Sequence, residues 1–90
     1  MSEVVVYSTR LCGFCTRAKM LLDEEAIPYR EVDVSDDPEE RAVLVERSGG
    51  LRTVPQIFIG SEHVGGFTEL RALQRSGDLD GLLAAQGIEL

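Results

Sequence analysis

The chain has no tryptophan, a single histidine and only two cysteines in 90 residues. No apolar run approaches the length that a membrane span needs. The opening stretch MSEVVVYSTR lacks a basic segment followed by a long apolar core, so no secretory leader is read there and the expected address is the cytoplasm. Basic side chains are the minority, nine against sixteen acids, for a formal net charge of -7. A nucleic-acid binder carries a basic face, so that partner is not expected. Solubility alone accounts for the acid excess. Two thiols and one imidazole fall short of the four ligands of a structural zinc within one chain. Linkers, repeats and low-complexity tracts are lacking too. The length fits a single domain over residues 1–90, and a hydrophobic fraction of 43% is ample for a folded core.

What is present reads as alternating elements. EVVVY (3–7) is a short β-branched run of a buried strand. From Gly13 the spacing turns helical through Ala18, Leu21, Leu22 and Glu25, and Ala26-Ile27-Pro28 ends that helix. YREVDV (29–34) alternates as a strand. SDDPEE supplies a cap, an early proline and acids for the positive end of a second helix, which Gly49-Gly50 stop. PQIFIG (55–60) and the residues after it form a hairpin turning at Gly60-Ser61, followed by helices over 67–77 and 79–87. The order β-α-β-α-β-β-α-α predicts an α/β fold with a four-stranded mixed sheet between helices.

Both cysteines lie in TRLCGFCTRAK (9–19), between the first strand and the first helix. A disulfide across so short a loop stabilises little, because the entropy removed grows with loop length, and cytosolic thiols stay reduced. Thiol–disulfide exchange is what a Cys-x-x-Cys in a βαβ setting serves. Cys12 falls where the loop meets the helix, beside unpaired N–H groups and a positive dipole that favour a thiolate. Cysteines so placed have pKa values depressed to roughly 3.5–7.5. Cys12 is therefore assigned as the nucleophile and Cys15, one turn further in, as the resolving thiol. Arg10, Arg17 and Lys19, with no acid between Ser8 and Leu22, make this region locally positive in a negative chain. Phe14 reads either as packing at the helix start or as an aromatic wall beside a substrate groove.

Two further stretches carry chemistry. In LRTVPQIFIG, Pro55 either simply opens a strand or follows a cis Val54–Pro55 bond, which turns the Val54 backbone outward for an extended peptide to pair with. In HVGGFTEL, Gly65-Gly66 before Phe67-Thr68-Glu69 make either a tight turn with a cap or an anion site of free helix amides, with a hydroxyl from Thr68. His63 reads as a strand residue.

The motifs VVYSTRLCGFC, YREVDV, RTVPQIFIG and HVGGFTEL, in this order and spacing over nearly the whole chain, resemble the glutaredoxin family. The resemblance implies a thioredoxin-like fold and the glutathione-dependent reduction of glutathionylated proteins and small disulfides. It implies that Cys12 takes glutathione as a mixed disulfide and that Thr53, Val54 and cis-Pro55 pair with the cysteinyl backbone. Gly66, Phe67 and Thr68 then hold the γ-glutamyl end, Arg41 lies near the glycine carboxylate, and Tyr7 lies close to the site. This sequence departs from the family at Gly13-Phe14, where many dithiol members have Pro-Tyr. It departs again at Thr9, where many have a lysine that Arg10 would replace, and at Phe67-Thr68, where a small residue and an aspartate are frequent. An alternative that the resemblance carries is a [2Fe–2S] dimer, ligated by Cys12 of each protomer and two glutathiones, which Gly13 favours by relieving constraint. Otherwise a monomer without metal is expected. A reductase of the thioredoxin type, fed by a flavoenzyme, is disfavoured by the absence of a tryptophan beside the first cysteine.

Overall fold

Three valines and a tyrosine in succession leave no polar face, and β1 (Val4–Ser8) is buried along its whole length. The computed structural model describes residues 2–90. After β1 come α1 (Gly13–Glu24), β2 (Arg30–Asp33), α2 (Pro38–Arg47), β3 (Gln56–Ile59), β4 (Glu62–Gly65), α3 (Phe67–Ser76) and α4 (Asp78–Ala85). The sheet order is β2-β1-β3-β4. β1 pairs parallel with β2 and antiparallel with β3, and β3 pairs antiparallel with β4. The expected mixed sheet, hairpin and element order are all present, with boundaries moved by one or two residues: β3 begins at Gln56, after Pro55, and α4 begins at Asp78.

Alternation along the central strands divides the core. Val4 and Val6 of β1 and Ile57 and Ile59 of β3 join Leu21 and Leu22 of α1, Leu70 of α3 and Leu79 and Leu83 of α4. Val5 and Tyr7, with Phe58 of β3, join Val34, just after β2, and Leu44 of α2 on the opposite face. β1, which leads into the Cys12 loop, is therefore packed on both faces and paired with β3 along one edge.

Local chemistry sets the helix ends. Asp37 caps α2 by accepting from the Glu40 N–H at 3.1 Å, and Pro38 follows at the first helical position. α1 ends with Ala26 at φ 56, a left-handed conformation that glycine adopts more readily, and the Ile27 N–H returns to the Leu22 carbonyl at 2.9 Å.

The fold also redistributes charge. Because β2 lies beside β1, its acids and those of the following loop reach the basic residues around the cysteines. Lys19 pairs with Glu31 at 2.9 Å and Arg10 with Asp36 at 2.5 Å. The positive patch expected from the local sequence is thus largely neutralised across the chain. Glu31 also accepts from the buried Ser8 hydroxyl at 2.6 Å. Lys19, and then Ser8, hold its carboxyl below the ordinary 4.5.

Two outcomes follow from these contacts. Ala26→Gly should raise stability by about 0.5–1 kcal/mol in urea unfolding, since it relieves the left-handed residue, and an unchanged or lower midpoint would argue against that conformation. Glu31's folded pKa is depressed, so its contribution is present above pH 4.5 and fades as pH falls through the folded value. Glu31→Gln should therefore lower neutral-pH stability by about 0.5–1 kcal/mol after allowance for solvent screening, and should flatten the acid limb of a stability–pH curve.

Candidate active site

α1 starts without the serine, threonine, aspartate or asparagine that usually caps a helix, and a sulfur takes that role. Cys12 is the N-cap, extended at φ -139 and ψ 103, and its Sγ accepts from the Cys15 N–H at 3.1 Å. No acidic side chain lies in the first turn, so the positive end of the helix acts on this sulfur without internal competition. Gly13 leaves open space, since a Cβ there would meet nothing within 4 Å. Cys12 is partly exposed, whereas Cys15 is 1% exposed. The two are joined as a disulfide with a Cα–Cα distance of 5.2 Å.

The tertiary fold brings two other segments to this sulfur. The Val54 carbonyl oxygen lies 3.8 Å from Cys12 Sγ, and the Val54–Pro55 bond is cis. A groove of about 270 Å3 runs beside it, with Thr53–Pro55 on one bank, Gly66–Thr68 on the other, and Phe14 between. The Phe14 and Phe67 rings face each other with centroids 6.1 Å apart. Of the residues singled out in the sequence, Cys12, Phe14, Thr53, Val54, Pro55, Gly66, Phe67 and Thr68 are brought together.

The remaining candidates stand elsewhere. Arg10 is held by Asp36, whose carboxyl it keeps below the usual carboxylate range. Arg41 donates to the Arg52 carbonyl at 3.2 Å and lines a separate depression on α2. Tyr7 is buried in the α2-side core, its ring edge on Phe58 and its hydroxyl accepting from Arg47 at 3.1 Å.

Two residues of the site carry signals that a reading by motif passes over. Gln56 is 3% exposed. Its amide accepts from His63 Nε2 at 2.7 Å and donates to the Thr53 hydroxyl at 3.2 Å, so β3 and β4 anchor the Thr53 loop from behind. His63 is a strand residue, stacked on Phe58. Glu69 Oε1 accepts from the Gly66 N–H at 2.7 Å. A glutamate three residues after a cap is half of a capping box, and GFTE displays that spacing. Gly65, at φ +115, must be glycine for this closure, because a Cβ would come within 2.8 Å of Glu69 Oε1. With the Glu69 carboxylate on the Gly66 N–H, the Phe67, Thr68 and Glu69 N–H groups are the first-turn donors left without an intrahelical acceptor.

The glutaredoxin family model matches residues 4–64. The chain belongs to the glutaredoxin family. A glutaredoxin of Pseudomonas aeruginosa is 47% identical over 94% of this chain and 100% of its own length. The solution structure of glutaredoxin from Brucella melitensis is 47% identical, with a TM-score of 0.80 over 100% of this chain and 96% of that one. The crystal structure of the buckwheat glutaredoxin–glutathione complex superposes with a TM-score of 0.82 at 33% identity, over 98% of this chain and 83% of that one. The fold is thus thioredoxin-like, as in these glutaredoxins, and the family's chemistry is thiol–disulfide exchange with glutathione as co-substrate. Among the described residues no three His, Cys, Asp or Glu side chains converge to hold a metal ion. The alternative [2Fe–2S] dimer would draw on Cys12 alone of each chain, since Cys12 is partly exposed and Cys15 is buried.

Glu69→Ala should lower stability by about 1 kcal/mol by leaving the Gly66 N–H uncapped, read as a shift in the unfolding midpoint with no change in slope. An unshifted midpoint would mean that water satisfies this amide equally well.

Proposed function

We propose that this protein is a glutathione-dependent thiol–disulfide oxidoreductase that reduces protein–glutathione mixed disulfides and small disulfides. The observation that carries the reading is the Cys12 sulfur, partly exposed as the N-cap of α1 and set against the Val54 carbonyl at the mouth of a groove. Its partner thiol, Cys15, is buried and within bonding reach. The buckwheat relative's complex with glutathione supports a tripeptide as the occupant of that groove.

In the reduced protein, Cys12 reacts as the thiolate. Its electron pair forms a bond to the glutathionyl sulfur of the substrate, the substrate S–S bond breaks, and the departing thiolate takes a proton from water. The Cys12–glutathione disulfide is then attacked by a second glutathione thiolate, which returns Cys12 and yields glutathione disulfide. Along the dithiol branch, Cys15 attacks Cys12 Sγ instead, releasing glutathione and forming the Cys12–Cys15 bond. Two glutathiones reduce that bond, leaving as glutathione disulfide.

Each bank of the groove has a task. The Val54 N–H and carbonyl pair with the extended tripeptide as an added strand, beside Thr53 and Pro55. The free amides of Phe67 and Thr68, next to Gly66, take the γ-glutamyl carboxylate at the positive end of α3. Phe14 walls the sulfur. Arg41 takes the glycine carboxylate by exchanging its bond to the Arg52 carbonyl, and Arg10 takes part only by leaving Asp36. The reaction draws on a reduced glutathione pool, which assigns the protein to the cytoplasm, acting as a monomer.

The test is turnover of a glutathionylated peptide by reduced glutathione. Cys12→Ser should lower kcat/KM by at least roughly 1,000-fold, as loss of a nucleophile does. Cys15→Ser should keep monothiol turnover of the same order. More than trace turnover by Cys12→Ser would sink the assignment.

A further inference from the structure

In a chain of net charge -7, three of the nine basic side chains line one groove. Positions 17, 20, 21 and 24 form one stripe of α1, and positions 67, 71, 74 and 75 one stripe of α3. The two helices pack together, and these stripes bound a depression of about 410 Å3. Arg17, Arg71 and Arg75 supply its charge and Met20 and Phe67 its apolar surface, while Glu24 is the one carboxylate lining it. Met20 is 55% exposed, unusual for a side chain of its size and polarity.

Arg10, Lys19 and Arg30 are each paired with an acid, whereas among the described residues Arg17, Arg71 and Arg75, like Arg41, Arg47 and Arg52, form no salt bridge. Within the groove the three arginines outnumber its one carboxylate, Glu24. The groove also adjoins the reacting sulfur, since Phe67 borders both depressions and the Arg17 guanidinium lies 5.4 Å from the centroid of the Phe14 ring.

We infer that this arginine-lined groove between α1 and α3 docks an acidic polypeptide segment of the glutathionylated substrate protein. The inference rests on the reaction proposed at Cys12 and names its substrate class. Carboxylates of the segment meet Arg17, Arg71 and Arg75, and an apolar side chain covers Met20 and Phe67. Three arginines against one carboxylate attract such a partner to this groove and orient it there. Glutathione itself is bound on the far side of Phe67 and does not need these contacts.

The experiment compares two glutathionylated peptides with the same core, one flanked by glutamates and aspartates and the other by lysines, together with the glutathione–cysteine mixed disulfide. The acidic peptide should have a kcat/KM about tenfold above the basic one at low ionic strength, and the gap should close as salt rises. The double variant Arg71→Glu, Arg75→Glu should invert the preference, and Arg71→Gln, Arg75→Gln should abolish it. Both should leave turnover of the small mixed disulfide unchanged. Equal peptide rates, or a parallel fall with the small substrate, would overturn the docking site. A failure to turn over the small mixed disulfide would instead sink the reaction proposed at Cys12. Binding without chemistry gives a separate reading, through amide NMR shifts on adding the acidic peptide with serine in place of its cysteine. Shifts centred on Arg17, Arg71 and Arg75 support the groove. No shifts there, or equal shifts from inorganic phosphate at matched ionic strength, overturn it.

Discussion

A single contact organises this molecule: the Cys12 sulfur accepting from the Cys15 N–H at the start of α1. One atom both completes the helix and, in the proposed reaction, carries the chemistry. A helix end needs an acceptor for its orphan amides, and a sulfur satisfies that need best when it bears negative charge. Stabilising the helix and stabilising the thiolate are therefore the same interaction. The absence of acids in the first turn keeps that interaction undivided.

Holding the sulfur in position is the work of β1. Its neighbours β2 and β3 pair with both its edges and the cores pack on both its faces, which fixes where the loop it feeds begins. The same strand pairing carries the Thr53–Pro55 loop in at the head of β3 and the start of α3 in after β4. Buried Gln56 joins these two parts from behind by linking His63 to Thr53. A polar residue in that position would be a burden without its partners, and with them it ties the loop to the hairpin.

Charge tells a second story. Acids outnumber bases, yet their distribution is uneven in space. Asp36, Glu31 and Glu3 pair with Arg10, Lys19 and Arg30, while the α1–α3 groove holds three arginines against one carboxylate, Glu24. The Cys12 sulfur therefore sits between a neutralised flank and a positive one. In the proposed reaction, partner choice is written into the second flank without touching the groove assigned to glutathione.

Much of this was legible in the residues. The buried run VVVY, the cap and proline of SDDPEE, and the position of the cysteine pair between strand and helix each follow from local rules of burial, capping and backbone geometry, and these depend on neighbours in the chain. The grouping of Phe14 with Thr53–Pro55 and with Gly66–Thr68 was reached by resemblance; the sheet order is what makes it spatial. What local reading could not supply were contacts between residues far apart in sequence. Arg10 looked available until the loop after β2 brought Asp36 to it, Lys19 likewise met Glu31, and Gln56 gained its meaning only from His63 and Thr53. The sequence by itself determined the elements, the cysteine at the helix cap and the sign of the helix field, because these are properties of consecutive residues. The tertiary structure alone decided which charges are cancelled and which remain, because electrostatic compensation depends on distance through space, and folding sets that distance without regard to separation along the chain.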